Sequence, residues 1–189
     1  MTTDPSAHLF WITSRAAGTT ALAFSSAAVG FGLVMGGKLV KGNAVDRRTV
    51  HEVLSLAVLV AIAVHGLSLI GDRYLHPTLL DVTVPFVSTY QTLATSLGIL
   101  AGWGLIFLGL SFYLRRRIGN ARWKMIHRFT ALAWVAGLVH AFAEGTDSGQ
   151  IWFIALIALT AAPALVLLVA RHARGAHTPL ARTREQLIS

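Results

Sequence analysis

The chain has 189 residues, 54% of them hydrophobic and only 13% charged, with a mean hydropathy of +0.63 and a formal net charge of +8. That apolar fraction exceeds what the core of a water-soluble domain consumes, so a soluble globular protein is excluded and an integral membrane protein is expected. The absence of cysteine excludes disulfides and thiolate-held metal centres.

In chain order, uncharged stretches run over 16–37, 53–71, 82–114, 129–143 and 148–170, against the ~20 residues that cross a hydrocarbon layer. They predict an all-α, polytopic helix bundle with five transmembrane helices, at 12–36, 48–71, 88–114, 123–143 and 150–171. Long continuous segments point to helices, because a barrel would show short alternating ones. The first segment is expected to be a membrane helix: MTTDPSAHLFW lacks a cationic leader region, and the apolar run after it is too long for a signal peptide. The connection 72–87, with Pro77 and Pro85, is expected to be an ordered outer loop. Residues 172–189 form a short basic tail, and the whole chain, 1–189, is expected to be a single transmembrane domain.

Fourteen of the sixteen cations fall on one side of these helices: Lys38, Lys41, Arg47 and Arg48, then Arg115, Arg116, Arg117, Arg122, Lys124 and Arg128, then Arg171, Arg174, Arg182 and Arg184. Arg15 and Arg73 fall on the other, with Asp72, Asp81, Glu144 and Asp147. The positive-inside rule then places the N-terminus outside and the C-terminus in the cytoplasm, as a multi-pass protein of the plasma (inner) membrane. The basic excess is a topology signal whose partner is membrane lipid, so no nucleic acid is expected.

Two of the helices carry histidine in pairs. HEVLSLAVLVAIAVH, 51–65, is closed at both ends by imidazole, and HRFTALAWVAGLVH, 127–140, repeats the arrangement. A buried polar ring costs free energy unless it has a partner. The second and fourth helices run in the same direction, so His51 shares one level with His127 and His65 shares another with His140. At 1.5 Å rise per residue the levels stand roughly 20 Å apart. Two facing imidazoles are the axial pair of a six-coordinate b-type haem held within a bundle. The alternative is that each histidine bonds a neighbouring helix or relays protons. On an ideal helix His51 and His65 lie about 40° apart, but His127 and His140 about 140° apart. Tilt, a different ring approach, or irregular winding near Gly137 must supply the difference.

Arg128 beside His127, and Arg15 near the outer end of the first helix, are candidates to pair with haem propionates, or else snorkel to the headgroups. GLVMG at 32–36 and GILAG at 98–102 suit close approach of helices or of a macrocycle. Trp11, Trp123 and Trp152 are expected in the interfacial belts, and Trp134 in packing.

His-x13-His on one helix and His-x12-His two helices later resembles the ferric reductase-like transmembrane domain. Ferric reductases, the membrane portion of NADPH oxidases and the haem subunit of methionine-sulfoxide reductase systems share this domain. The resemblance covers 47–143 well and the flanks loosely. It implies two haem b groups, ligated by His51 with His127 and by His65 with His140, that pass electrons across the bilayer. Family members usually have six helices with ligands on the third and fifth, so the expectation is that this chain lacks the first of them. About eighteen residues follow the fifth helix, where a flavin or nicotinamide domain needs ~100 or more, and there is no Gly-rich dinucleotide fingerprint. The expectation is the haem-binding membrane subunit of an oxidoreductase with no flavin or nicotinamide site of its own. Its donor would be a cytosolic flavoprotein or quinol, and its acceptor ferric iron, oxygen or a periplasmic redox protein. The competing class is a non-enzymatic transporter subunit or scaffold.

Overall fold

The computed structural model describes residues 8–37, 39 and 43–176, with the backbone alone for 174–176. Lys38, Lys41, His177, Arg182 and Arg184 of the basic segments, and the Arg174 side chain, lie outside the described residues. Helices α1 (Leu9–Gly36), α2 (Ala44–Ile70), α3 (Leu79–Thr83), α4 (Thr92–Ile118), α5 (Asn120–His127), α6 (Phe129–Glu144) and α7 (Ile151–Ala176) follow in order, with no strand among the described residues. Five spans are long and apolar enough to cross a membrane: α1, α2, α4, α5 with α6 (Asn120–Glu144), and Ile151–Ala173 of α7.

Helix ends follow local chemistry. Helix α2 begins at Ala44, four residues before its expected start, because Asn43 caps it by accepting the Val45 amide, with Asp46 in the first turn. Helix α4 starts at Thr92 rather than 88, since Phe86 and Gln91 hold positive φ of 67° and 39°. It continues past the apolar run through Arg115, Arg116 and Arg117, whose charges suit a helix C-terminus. Gly119, at φ 91°, ends it.

The bundle is apolar outside. Leu67, Phe107, Leu132, Leu159 and Val166 each expose about two thirds or more of their surface, an arrangement that suits lipid and would be costly in water. The buried centre is small and joins α1, α6 and α7 through Leu22, Trp134, Leu138, Phe153, Ile157, Ala161 and Ala164. Trp134 is 1% exposed and donates its indole N–H to Ser26 Oγ at 3.0 Å, and that hydroxyl donates in turn to the Leu22 carbonyl. Trp134 is therefore a packing residue. Where α1 meets α7, Gly30 lies against Ala164, so small residues let the two helices approach closely.

Helix α2 packs along α1, and α6 along α4, with α1 also touching α6 and α7, whereas α2 and α6 face each other without close packing. At one end of the bundle Gly36 meets Arg171 and Tyr113 donates to Glu52. Arg47, Arg48, Arg115, Arg116, Arg117, Arg122, Lys124 and Arg128 gather at that end. At the other end Ser14 meets His65, Arg15 pairs with Asp147, and Thr95 bonds Glu144. The charge asymmetry read from the sequence is thus an asymmetry of the folded bundle.

The connection from α2 to α4 is built as an ordered loop. Thr78 and Asp81 form a capping box around α3, Trp103 donates to the Thr83 carbonyl at 2.8 Å, and Phe86 N–H donates to Ser96 Oγ at 2.7 Å. Donation from the Thr78 hydroxyl and amide holds the Asp81 carboxyl below its ordinary pKa. A depressed carboxyl stabilises the fold above its unfolded pKa, and that contribution fades as pH falls through the folded value.

Trp134→Ala should be the costliest single truncation in the centre of the bundle, by about 3–5 kcal/mol, since it removes an aromatic with no exposed surface to relax into. Denaturant titration of the protein in detergent micelles measures it, and a loss below about 1 kcal/mol would contradict this packing.

Candidate functional site

The two histidine pairs meet across the gap between α2 and the α5–α6 segment. The His51 and His127 ring centres are 6.3 Å apart with planes at 88°, and those of His65 and His140 are 6.5 Å apart at 69°. All four residues are half-buried. At the first level the Nδ1 atoms of His51 and His127 are fully buried, so the remaining exposure belongs to other parts of those residues.

Each ring is approached by a backbone carbonyl of the helix beside it. His65 Nδ1 lies 2.8 Å from the Ser14 carbonyl and 2.9 Å from Ser14 Oγ, while that hydroxyl donates to the His65 carbonyl. His140 Nδ1 lies 2.9 Å from the Ala94 carbonyl, with Glu144 Oε2 at 3.5 Å. A carbonyl only accepts, so in both rings Nδ1 carries the proton and Nε2 keeps a lone pair. The Ala28 carbonyl stands beside His51 and the Leu108 carbonyl beside His127. Neither of these two meets hydrogen-bond geometry with Nδ1.

The register is regular. Ser14 and Ala28 are 14 residues apart on α1, as are Ala94 and Leu108 on α4 and His51 and His65 on α2. In a helix the carbonyl of residue i is bonded by the amide of i+4, so the i+4 side chain stands beside any ring that approaches that carbonyl. At three of the four carbonyls that residue is glycine: Gly18 after Ser14, Gly32 after Ala28 and Gly98 after Ala94. A Cβ would stand 3.0 Å from the His65 ring at Gly18, 3.2 Å from His51 at Gly32, and 2.6 Å from His140 at Gly98. Gly18, Gly32 of GLVMG and Gly98 of GILAG thus clear space for imidazole. Gly102 and Gly137 do sit at helix contacts, against Ile62 and Ala101. At the fourth carbonyl, Leu108, the i+4 residue is Phe112.

Gly137 lies within regular helix. The winding changes instead at Arg128, between α5 and α6, where the backbone stays helical at φ −61° and ψ −27°. There the Ala131 amide bonds the Arg128 carbonyl, three residues back, and the Thr130 hydroxyl takes the His127 carbonyl at 2.6 Å. Through this turn α5 runs on into α6 as one apolar span, Asn120–Glu144. The sequence carries no glycine or proline there to announce it.

Of the two candidate arginines, Arg128 is exposed at this break. Arg15 is already engaged: its Nε and one terminal nitrogen pair with Asp147, and its guanidinium lies 4.1 Å from the centre of the Trp11 ring. Trp123 is more than an interfacial anchor, because it stacks on His127 at 4.9 Å between ring centres. Ser14, Gly18, Gly32, Gly98, Trp123 and Glu144 were not marked as site residues by the sequence alone. The one signal that could have found some of them is the shared 14-residue spacing of Gly18 with Gly32 and His51 with His65.

Among the described residues, no three His, Asp or Glu side chains gather as ligands for a bare metal ion. The arrangement supplies two imidazoles per level and nothing more. Gly98→Ala should crowd His140 and cost roughly 1–3 kcal/mol, whereas Gly66→Ala, with nothing within 4 Å, should be neutral or gain up to about 1 kcal/mol of helix propensity. Equal effects in detergent unfolding would contradict the close approach at Gly98. No family model, curated protein or solved structure matches the chain, so what this site can do follows from its geometry.

Proposed function

We propose that this chain is a di-haem b membrane protein that carries electrons across the bilayer, with His51 and His127 holding one haem and His65 and His140 the other. The separation of the paired rings carries the reading. Imidazole nitrogens sit about 2.0–2.1 Å from a bound metal, and each ring centre lies about 1.1 Å further on, so two imidazoles that held one metal between them would have centres about 6.3 Å apart. The observed spacings are 6.3 and 6.5 Å. Two imidazoles are too few for a bare ion, but they complete a macrocycle that brings four nitrogens of its own. The gap between α2 and α6 and the Nδ1–H tautomer of His65 and His140 fit the same use.

When bound, b-haem supplies a one-electron carrier. The chain's own residues hold it, turn the ring planes and keep water out. Arg128, exposed and next to His127 in the chain, would pair with a propionate, and Arg15, with one terminal guanidinium nitrogen outside its Asp147 contacts, would do the same. The basic end of the bundle faces the cytoplasm in this reading, with the N-terminus outside and the plasma (inner) membrane as the location. An interior negative by 100 mV favours moving an electron outward by about 2.3 kcal/mol. The donor is then a cytosolic flavoprotein or quinol, and the acceptor ferric iron, oxygen or a periplasmic redox protein.

A pyridine haemochrome assay on protein of known concentration should return two haems per chain. His65→Ala and His140→Ala should each remove one haem, and His51→Ala and His127→Ala the other, while His8, His76 and His172 should be dispensable. A single haem in the unmodified protein would leave one pair unexplained, and none would end the reading.

A further inference from the structure

His127 is anchored differently from the histidines of the other level. His65 and His140 each have Nδ1 on a backbone carbonyl within 3 Å. The corresponding carbonyl for His127 is that of Leu108, and it is already taken: Ser111 Oγ donates to it at 2.6 Å. The His127 Nδ1 is left buried without a hydrogen bond. Ser111 Oγ accepts in turn from Trp123 Nε1 at 3.1 Å. That fixes the indole, which lies over the His127 ring with centres 4.9 Å apart and planes within 25°. Phe112 packs edge-on against the same indole, at 5.9 Å and 62°. Trp123 reaches the ring because it sits four residues earlier on α5, and i, i+4 side chains share a helix face.

We propose that Trp123 is the positioning residue for His127, its indole setting by stacking the ring plane that a hydrogen bond sets for His65 and His140. Its consequence for a ligated haem rests on the di-haem reading. The contact itself does not.

Two measurements on the full chain test it. In haem-free protein with labelled histidine, the His127 ring protons should show an upfield ring-current shift in the NMR spectrum, lost in Trp123→Leu and largely kept in Trp123→Phe. In haem-loaded protein, Trp123→Leu should weaken retention of the His51/His127 haem about 10–100-fold, the range typical of lost outer-shell support. It should also move that haem's low-spin ferric EPR signal, which reports the angle between axial ring planes, while the other signal stays. Trp123→Phe, which keeps the aromatic face, should restore both.

An unshifted His127 resonance in the unmodified protein would overturn the proposal whether or not haem binds. An unchanged signal and retention in Trp123→Leu would overturn it too, as would equal disturbance of both haems, the mark of a general packing role. Lack of haem in the unmodified protein would instead remove the function proposed above and leave the NMR result to decide the contact.

Discussion

An imidazole inside a hydrocarbon layer must satisfy its ring nitrogens without water, and the rest of this bundle is arranged around that constraint. Two of the four rings meet it by turning Nδ1 onto a main-chain carbonyl of the adjacent helix. A main-chain acceptor is suited to the task because its position is fixed by the helix, not by a rotamer. A ring that reaches it must come close to the neighbouring backbone, and that is possible only where the next turn lacks a side chain. Gly18 and Gly98 meet the requirement for His65 and His140, and Gly32 gives His51 the same clearance. Each ring thus sits on one helix while its anchor and its clearance lie together on the neighbouring one, and these contacts fix how α1 sits on α2 and α4 on α6.

The same constraint sets the gap in the bundle. With Nδ1 of His65 and His140 directed to α1 and α4, the second nitrogen of each ring is left as the free one, with its lone pair. Helices α2 and α6, which carry the rings, are held by those partners and not by each other. Packing strength is concentrated elsewhere, in the Trp134 cluster of α1, α6 and α7. Polar side chains inside the helices are satisfied locally: Ser25 and Ser26 donate to the Leu22 carbonyl, and Ser55 to that of His51. The proposed macrocycle needs such a division, with one side of the bundle closed and two helices kept apart by a fixed distance.

The two levels are not copies. The level of His65 and His140 is held by hydrogen bonds and has the Glu144 carboxylate close to one ring. The level of His51 and His127 leaves two Nδ1 atoms buried without a bond and relies on an indole stack at one of them. Outer-shell hydrogen bonds change ligand basicity, so the two haem sites proposed above would differ in electronic character even with the same residue type at each.

The sequence by itself determined the membrane class, the five apolar spans, the grouping of cations at alternate helix ends, and which histidines share a level. Each follows from composition or from a 1.5 Å rise per residue, and neither depends on how helices turn about their axes. Rotation and neighbour choice were decided only by the tertiary structure. The ideal helix put His127 and His140 on different faces, yet each ring meets its partner on α2, at 6.3 and 6.5 Å between centres. Likewise GLVMG and GILAG suit close approach of helices or of a macrocycle as sequence, whereas α1 beside α2 and α4 beside α6 set Gly32 and Gly98, with Gly18, against imidazole rings. Trp123 read as an interfacial anchor until its indole was found on His127. A sequence records which side chains a helix carries. Which of them meet is settled by the helix laid against it, because contact depends on register and rotation that no single helix specifies.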